Sequence, residues 1–281
     1  MGEAITLREA AERLDVHYMT VYRYVRLGLL PAHKDGRSWR IASPDLDRFQ
    51  QGNASDSSLS VSRRNVPWHE RLHNRLLAGD QTGAWKVVEA ALASGTTPAG
   101  VYTDMLAPAL RSIGDAWEAG EIGIESEHQA SVIVGRIIGR LGPRFSPPGR
   151  RKGSVVVAGP AGDRHALGLA MAGDILRGGG YLVVDLGPDT PAQALAATLM
   201  GVQQMRAVCI GVANPAALDA VTETVRVARR YLDRHAPVVL GGGAVADDGH
   251  AQVLGADRRA DLVDIVEAVE VGREAQPVIH I

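Results

Sequence analysis

The chain is poor in cysteine, in long apolar runs and in net charge, and each shortage excludes something. Cys209 is the one cysteine among 281 residues, so no internal disulfide framework exists and a reducing cytoplasm is the expected setting. No apolar run approaches the roughly 20 residues that span a bilayer, so no membrane partner is expected. Residues 1–11 are charged and lack the apolar core of a signal peptide. Thirty Lys and Arg against 32 Asp and Glu leave a net charge of −2, so the whole chain is no polyanion binder, although one block of it can still be basic. No internal repeat is evident. Against these shortages, hydrophobic residues reach 46% and charged residues 22%, the balance of a soluble globular protein long enough for more than one domain.

Two breaks divide the chain. Residues 53–64 begin Asn53-Ala54-Ser55-Asp56-Ser57-Ser58 and read as a flexible linker. Residues 146–152, Ser146-Pro147-Pro148-Gly149-Arg150-Arg151-Lys152, combine helix breakers with charge. Between them, in 65–145, apolar residues recur at helical spacing and predict helices over 68–78, 82–94, 98–118 and 124–141, a four-helix bundle. After the second break, residues 153–281 alternate short apolar runs with amphipathic stretches. The runs 155–158, 182–186, 208–212 and 238–240 predict fully buried parallel strands. Crossing helices are predicted over 166–177, 192–201, 216–233 and 262–271. This is a Rossmann-like doubly wound sheet, whose ligand crevice lies beyond the carboxyl ends of the strands. The expected class is therefore multidomain, α and α/β.

Residues 1–52 carry a different signature. Thr6 followed by Glu9 is a capping box opening a helix, and Asp15-Val16-His17 makes a turn. A second helix runs through Met19-Thr20-Val21-Tyr22-Arg23-Tyr24-Val25-Arg26 and stops at Gly28. His33 to Ile41 reads as a hairpin with Asp35-Gly36 at its tip and basic flanks, and Ser43-Pro44 starts a third helix. The block resembles the MerR/excisionase-like winged helix-turn-helix family. That resemblance implies operator DNA as partner, with Thr20, Tyr22 and Arg23 facing the major groove and Arg26, Lys34, Arg37 and Arg40 on phosphates. It also implies a homo-oligomer, because a two-fold operator needs two copies.

The chemistry-bearing motif is Asp163-Arg164-His165-Ala166-Leu167-Gly168, just past the predicted strand 155–158. A metal-binding imidazole needs a partner on its other ring nitrogen, and Asp163 is placed to orient His165 in that way. Gly168 lets a ligand approach the backbone. Gly241-Gly242-Gly243 follows the fourth predicted strand, where backbone can press on a flat ring. Cys209-Ile210-Gly211-Val212-Ala213 ends the third with small residues, which leaves room for a long tail. In the bundle, nine residues separate Trp117 from Glu127-His128.

Together these residues resemble the cobalamin-binding module of corrinoid methyltransferases and cobalamin-dependent regulators, over about 65–272. The resemblance implies that His165 is the lower cobalt ligand and that the cofactor's tail enters the sheet past Gly211, Ala213 and Gly241–Gly243. It also implies that Trp117, Glu118, Glu127 and His128 face the upper axial group. With the winged helix in front, the order resembles CarH/LitR-type cobalamin-dependent photoreceptor regulators, non-enzymes whose adenosylcobalamin couples light to oligomerisation and operator binding.

Two positions depart from that pattern. Family photoreceptors place a histidine directly after the bundle tryptophan, where this chain has Glu118. Many cobalamin modules place Ser or Thr at the third-strand end, where this chain has Gly211 and Ala213. Several readings therefore stay open: a photoreceptor with a different photoproduct, a sensor indifferent to light, or a pocket adapted to a bilin or haem. A corrinoid methyl carrier would share the bundle and sheet but has no use for a winged helix, and the pocket of a ligand-free scaffold would be vestigial.

Overall fold

The computed structural model describes residues 4–14, 21, 25, 30–35, 38–46, 49, 67–146, 148–233 and 235–271. They fall into two compact units, divided between Pro67 and Trp68.

In the first unit, β1 (Ala4–Thr6) leads directly into α1 (Leu7–Leu14). The predicted capping box forms: the Thr6 backbone N–H donates to Glu9 Oε2 at 2.7 Å, and the Glu9 N–H donates back to Thr6 Oγ1 at 3.2 Å. The Thr6 backbone and hydroxyl, and then the charge of Arg40, hold the Glu9 carboxyl below the ordinary glutamate range against a small opposing cost of desolvation. The predicted hairpin is β2 (His33–Asp35) with β3 (Ser38–Ala42), in the register His33 to Arg40 and Asp35 to Ser38. Its other edge is unforeseen: β1 pairs antiparallel with β3, placing Ile5 opposite Ile41. Both isoleucines enter a core with Leu7, Ala10, Val21, Val25, Leu30 and Leu46. Val21 and Val25, four apart, are the buried pair that the predicted second helix supplies. Of the DNA-facing residues, Thr20, Tyr22, Arg23, Arg26 and Arg37 lie outside the described residues. Lys34 lies in β2 opposite Trp39, and Arg40 is half-buried in β3.

The second unit opens with the bundle: α2 (Trp68–Leu77), α3 (Gln81–Ala93), a third rod, and α6 (Ile124–Leu141). The third rod is continuous but not uniform. It comprises α4 (Pro98–Val101), a π-helical turn over Tyr102–Leu106, and α5 (Ala107–Glu118). Asp80 and Thr97 start their helices by accepting hydrogen bonds from the backbone N–H groups of Gly83 and Gly100.

The sheet comprises β4 (Ser154–Pro160), β5 (Leu182–Thr190), β6 (Met205–Gly211), β7 (Val238–Gly241) and β8 (Arg258–Arg259). All neighbours are parallel, in the order β5-β4-β6-β7-β8. The connecting helices are α7 (Leu167–Gly178), α8 (Ala192–Leu199), α9 (Leu218–Tyr231), α10 (Asp248–Val253) and α11 (Ile265–Glu270). The short pair α10 and β8 carries too few apolar residues to stand out in sequence. Among the described residues, no helix is long and apolar enough to cross a membrane.

One expectation about the strands is corrected. The run 182–186 is not fully buried: β5 is an edge strand, and Leu182 is 55% exposed. Val155 and Val157 of β4 point to one face of the sheet, with α7, α11 and the bundle, while Val156 points to the other, with α8 and α9. The bundle and sheet thus share one core rather than touching across a wet boundary.

Tyr102, in the π-helical turn, is fully buried and ties the two layers together. Its hydroxyl donates to Asp174 Oδ2 of α7 at 2.8 Å, its ring stacks on Phe145 with centroids 4.9 Å apart, and Asp174 pairs with Arg177 at 2.9 Å. Burial first, then the hydrogen bond to Asp174 and its charge, raise the tyrosine pKa far above its ordinary value. Tyr102→Phe removes one bond to a charged acceptor that keeps its arginine. Chemical denaturation should show a loss of about 1–2 kcal/mol.

Candidate cofactor site

In the strand order β5-β4-β6-β7-β8, the chain leaves β4 toward one face and β6 toward the other. The carboxyl ends of these neighbouring strands therefore open a crevice, the place where doubly wound sheets hold ligands.

Asp163 stands at this point. Its side chain is 2% exposed, and a buried carboxylate survives only with its lone pairs occupied. Oδ2 accepts from the backbone N–H groups of Ala213 at 2.6 Å and Asn214 at 3.0 Å, both just past β6. Oδ1 accepts from the backbone N–H of His165 at 3.0 Å and lies 2.6 Å from His165 Nδ1. Burial pushes the Asp163 pKa up. The N–H groups of His165, Asn214 and Ala213, together with the imidazole, outweigh that and hold it below the ordinary aspartate value. Asp163 therefore clamps two strand ends and fixes one imidazole.

Asp189 adds the third strand end. Its N–H donates to the Asp163 carbonyl at 2.7 Å, and its Oδ1 accepts from Gly162 N–H at 2.7 Å. The geometry needs φ +52 at Asp189, a left-handed conformation that aspartate tolerates better than most side chains. Sequence reasoning missed both Asp189 and the structural task of the 213–214 backbone. A Gly-Pro-Asp turn after a predicted strand was the available signal.

With Nδ1 turned to an anionic carboxylate, the proton of neutral His165 belongs on Nδ1 and the lone pair on Nε2. The ring is 66% exposed, so that lone pair is presented outward from the crevice. Among the described residues, no three His, Cys, Asp or Glu side chains converge to cage a metal ion. One oriented imidazole suits a metal that arrives already held by a macrocycle.

The predicted glycines divide into two kinds. A Cβ added at Gly168 or Gly243 would meet nothing within 4 Å, so both leave open surface of the kind a flat ligand needs. Gly241 and Gly242 are required by the fold itself, because backbone fills their Cβ directions, whereas Gly211 faces only one leucine side chain. A Cβ at Gly211 would lie 2.6 Å from Leu169 Cδ2, at Gly241 2.9 Å from the Ala260 carbonyl oxygen, and at Gly242 2.1 Å from the Val212 carbonyl oxygen. Leu169 occupies the space that Gly211 leaves, so a tail entering there has this side chain to displace.

In the bundle, Trp117 is 43% exposed at the last turn of α5, and so is no core residue. Glu118 follows it, also exposed. Glu127 accepts from Ser131 Oγ at 2.7 Å, and its Oε2 lies 3.8 Å from His128 Nε2. His128 belongs to a stripe on α6. At 3.6 residues per turn, Ile124, His128, Val132, Gly135 and Gly139 fall within an arc of about 80°. Ile124 and Val132 are exposed at 43% and 55%, while Gly135 faces Leu167 at the start of α7. The stripe thus joins exposed apolar groups and small residues, and at Gly135 it meets Leu167, two residues after His165 in sequence.

Comparisons with known proteins find likenesses in both units. A family model described as a B12 binding domain matches residues 68–141, and one described as a helix-turn-helix domain matches residues 4–54. The HTH-type transcriptional repressor CarH of Myxococcus xanthus is 30% identical over 180 residues, 63% of this chain and 58% of that protein. Monomethylamine corrinoid protein 2 of Methanosarcina acetivorans is 26% identical over 44% of this chain and 59% of its own length. The chain thus spans somewhat over half the length of these two relatives. Among solved structures, the Methanosarcina barkeri monomethylamine corrinoid protein superposes with a TM-score of 0.64 at 20% identity, covering 73% of this chain and 98% of that one; this likeness establishes the fold of the second unit. With a helix-turn-helix domain ahead of a B12 binding domain and a CarH repressor among its sequence relatives, the chain has a CarH-like architecture.

Proposed function

We propose that the protein is a transcription regulator, not an enzyme, whose operator binding responds to a cobalamin held at His165. The observation that carries this is the Asp163–His165 pair at the strand switch point, in a chain that also has a DNA-binding domain. A corrinoid supplies a metal with an exchangeable upper ligand. His165 Nε2 would hold that metal, and Asp163 would keep the imidazole oriented. Trp117, Glu118, Glu127, His128 and the α6 stripe would meet the exchangeable ligand, so that its size would bear on the bundle. Adenosylcobalamin would supply a bulky, light-labile group there, and the bundle residues would register whether that group is present. The change then reaches DNA through the assembly of copies, because only contacts that differ between two states can shift a population.

The corrinoid proteins among the relatives favour one alternative, a methyl carrier sharing this bundle and sheet. The winged helix distinguishes the two. A bilin or haem in the same cleft is the remaining alternative, and its absorption bands differ from those of a corrinoid.

Full-length protein loaded with adenosylcobalamin in darkness should show a corrinoid spectrum and bind its own promoter DNA, then change both size and DNA affinity after illumination. Arg23→Ala or Arg37→Ala should lower DNA affinity about tenfold at fixed salt and flatten the salt dependence by about one phosphate contact, with cofactor uptake unchanged. Unchanged size and affinity after illumination would remove light from the proposal, and no corrinoid uptake would remove the cofactor.

A further inference from the structure

The first half of α2 contains His69-Glu70-Arg71-Leu72-His73, an H-E-x-x-H spacing that neither the cofactor site nor the DNA-binding unit uses. On a helix, residues four apart are neighbours with Cβ atoms roughly 5–6 Å apart, so two imidazoles at that spacing can close on one metal ion at about 2.0–2.1 Å each. Here both line a cleft of about 280 Å³ between α2 and α5, together with Glu70, Asn74, Pro108, Ala109 and Ser112. His73 Nε2 lies 3.4 Å from Ser112 Oγ, and His69 Nε2 lies 4.0 Å from Glu70 Oε1. Among the described residues, no lysine or arginine lines the cleft. The two arginines of the same helix are turned to other partners: Arg71 stacks over Trp68, and Arg75 pairs with Asp80 at 2.9 Å. One carboxylate, two imidazoles, an amide and a hydroxyl form a cation-accepting lining.

We propose that this cleft is a second metal site, in which His69 and His73 chelate one first-row dication of the nickel, copper or zinc group. Imidazole pairs bind these ions more strongly than the earlier members of the row. Among the described residues no three His, Cys, Asp or Glu side chains are placed to hold one ion, so Glu70, 4.0 Å from His69 Nε2, stands beside the pair and not as a third ligand. The remaining positions therefore go to water and to Ser112 or Asn74 oxygen. Zinc hydrolases with H-E-x-x-H hold the ion with a further ligand; with only two, the site binds and exchanges its ion, and hydrolysis is not assigned to it.

The test uses tag-free, full-length protein without cobalamin, titrated with Zn²⁺ by calorimetry and with Cu²⁺ by electron paramagnetic resonance. The expected results are one equivalent of Zn²⁺ and nitrogen hyperfine structure from two imidazoles. His69→Gln and His73→Gln should each weaken binding at least tenfold with an unchanged circular dichroism spectrum. His165→Ala should leave the titration as in the wild type, which separates this site from the cofactor site. Zn²⁺ affinity that is the same in the wild type and both glutamine variants would overturn the proposal. So would loss of the tight site in His165→Ala with the α2 pair intact.

Discussion

His165→Ala is expected to fold as the wild type does and yet lose the corrinoid: retention through gel filtration should drop at least tenfold, and any residual spectrum should lack its histidine-dependent features. The two parts of that expectation have separate causes. The imidazole is 66% exposed, so removing it opens no cavity and costs little stability. Its Nδ1 is already committed to Asp163 at 2.6 Å, so Nε2 is the only atom it contributes outward, and alanine replaces that atom with nothing. Asp163→Ala should behave differently. It takes their charged acceptor from the backbone N–H groups of Ala213 and Asn214, and at roughly 1–2 kcal/mol for each such bond a total loss of about 2–4 kcal/mol is expected in denaturant melts. The untethered His165 should also lose a further 10–100-fold in metal affinity relative to wild type, the usual cost of removing such a partner. A His165→Ala protein that keeps the wild-type spectrum and retention would end the lower-ligand assignment.

The same carboxylate sets an acid limit. Its folded-state pKa lies below the unfolded value of about 3.9, despite burial, because three backbone N–H groups and the imidazole favour the anion. Such a group contributes its full stabilisation above the unfolded value and loses it as pH falls through the lowered folded value. Stability melts of wild type and Asp163→Ala should therefore differ most above about pH 4 and converge below it.

How far these features were readable in the sequence depends on how local they are. The four bundle helices declare themselves by apolar periodicity, and their predicted ends fall within two residues of those observed. The π-helical turn at Tyr102–Leu106 does not, because one extra residue per turn leaves the apolar spacing almost undisturbed. Burial of β5 was misjudged for a related reason. A run such as Leu182-Val183-Val184 looks the same at the edge of a sheet as in its centre, and only the order β5-β4-β6 decides which it is. Asp163 and His165 were legible as a pair because they are two residues apart. The partners that make Asp163 a clamp lie 50 and 51 residues away, in backbone N–H groups that carry no residue identity.

Glycine substitutions should separate what the fold requires from what the ligand requires, and the largest effect is expected at Gly242. There φ is +100, and an added Cβ would lie 2.1 Å from the Val212 carbonyl oxygen. That atom is backbone of the neighbouring β6 end and cannot rotate away, so Gly242→Ala combines an unfavourable dihedral with a main-chain clash. A loss of more than about 3 kcal/mol is expected, with or without cobalamin. Gly168→Ala is expected to do the reverse. Gly168 lies within α7, its Cβ direction is empty to 4 Å, and alanine in a helix is worth up to about 1 kcal/mol over glycine. The variant should melt at or above the wild-type midpoint and yet take up corrinoid at least tenfold less well, because the new methyl occupies surface the ring needs. Gly243→Ala, whose added Cβ also meets nothing, should follow Gly168→Ala on the cofactor side with little change in stability. If Gly168→Ala instead binds corrinoid like the wild type, the open surface beside His165 is not where the ring lies, whatever the imidazole itself is found to do.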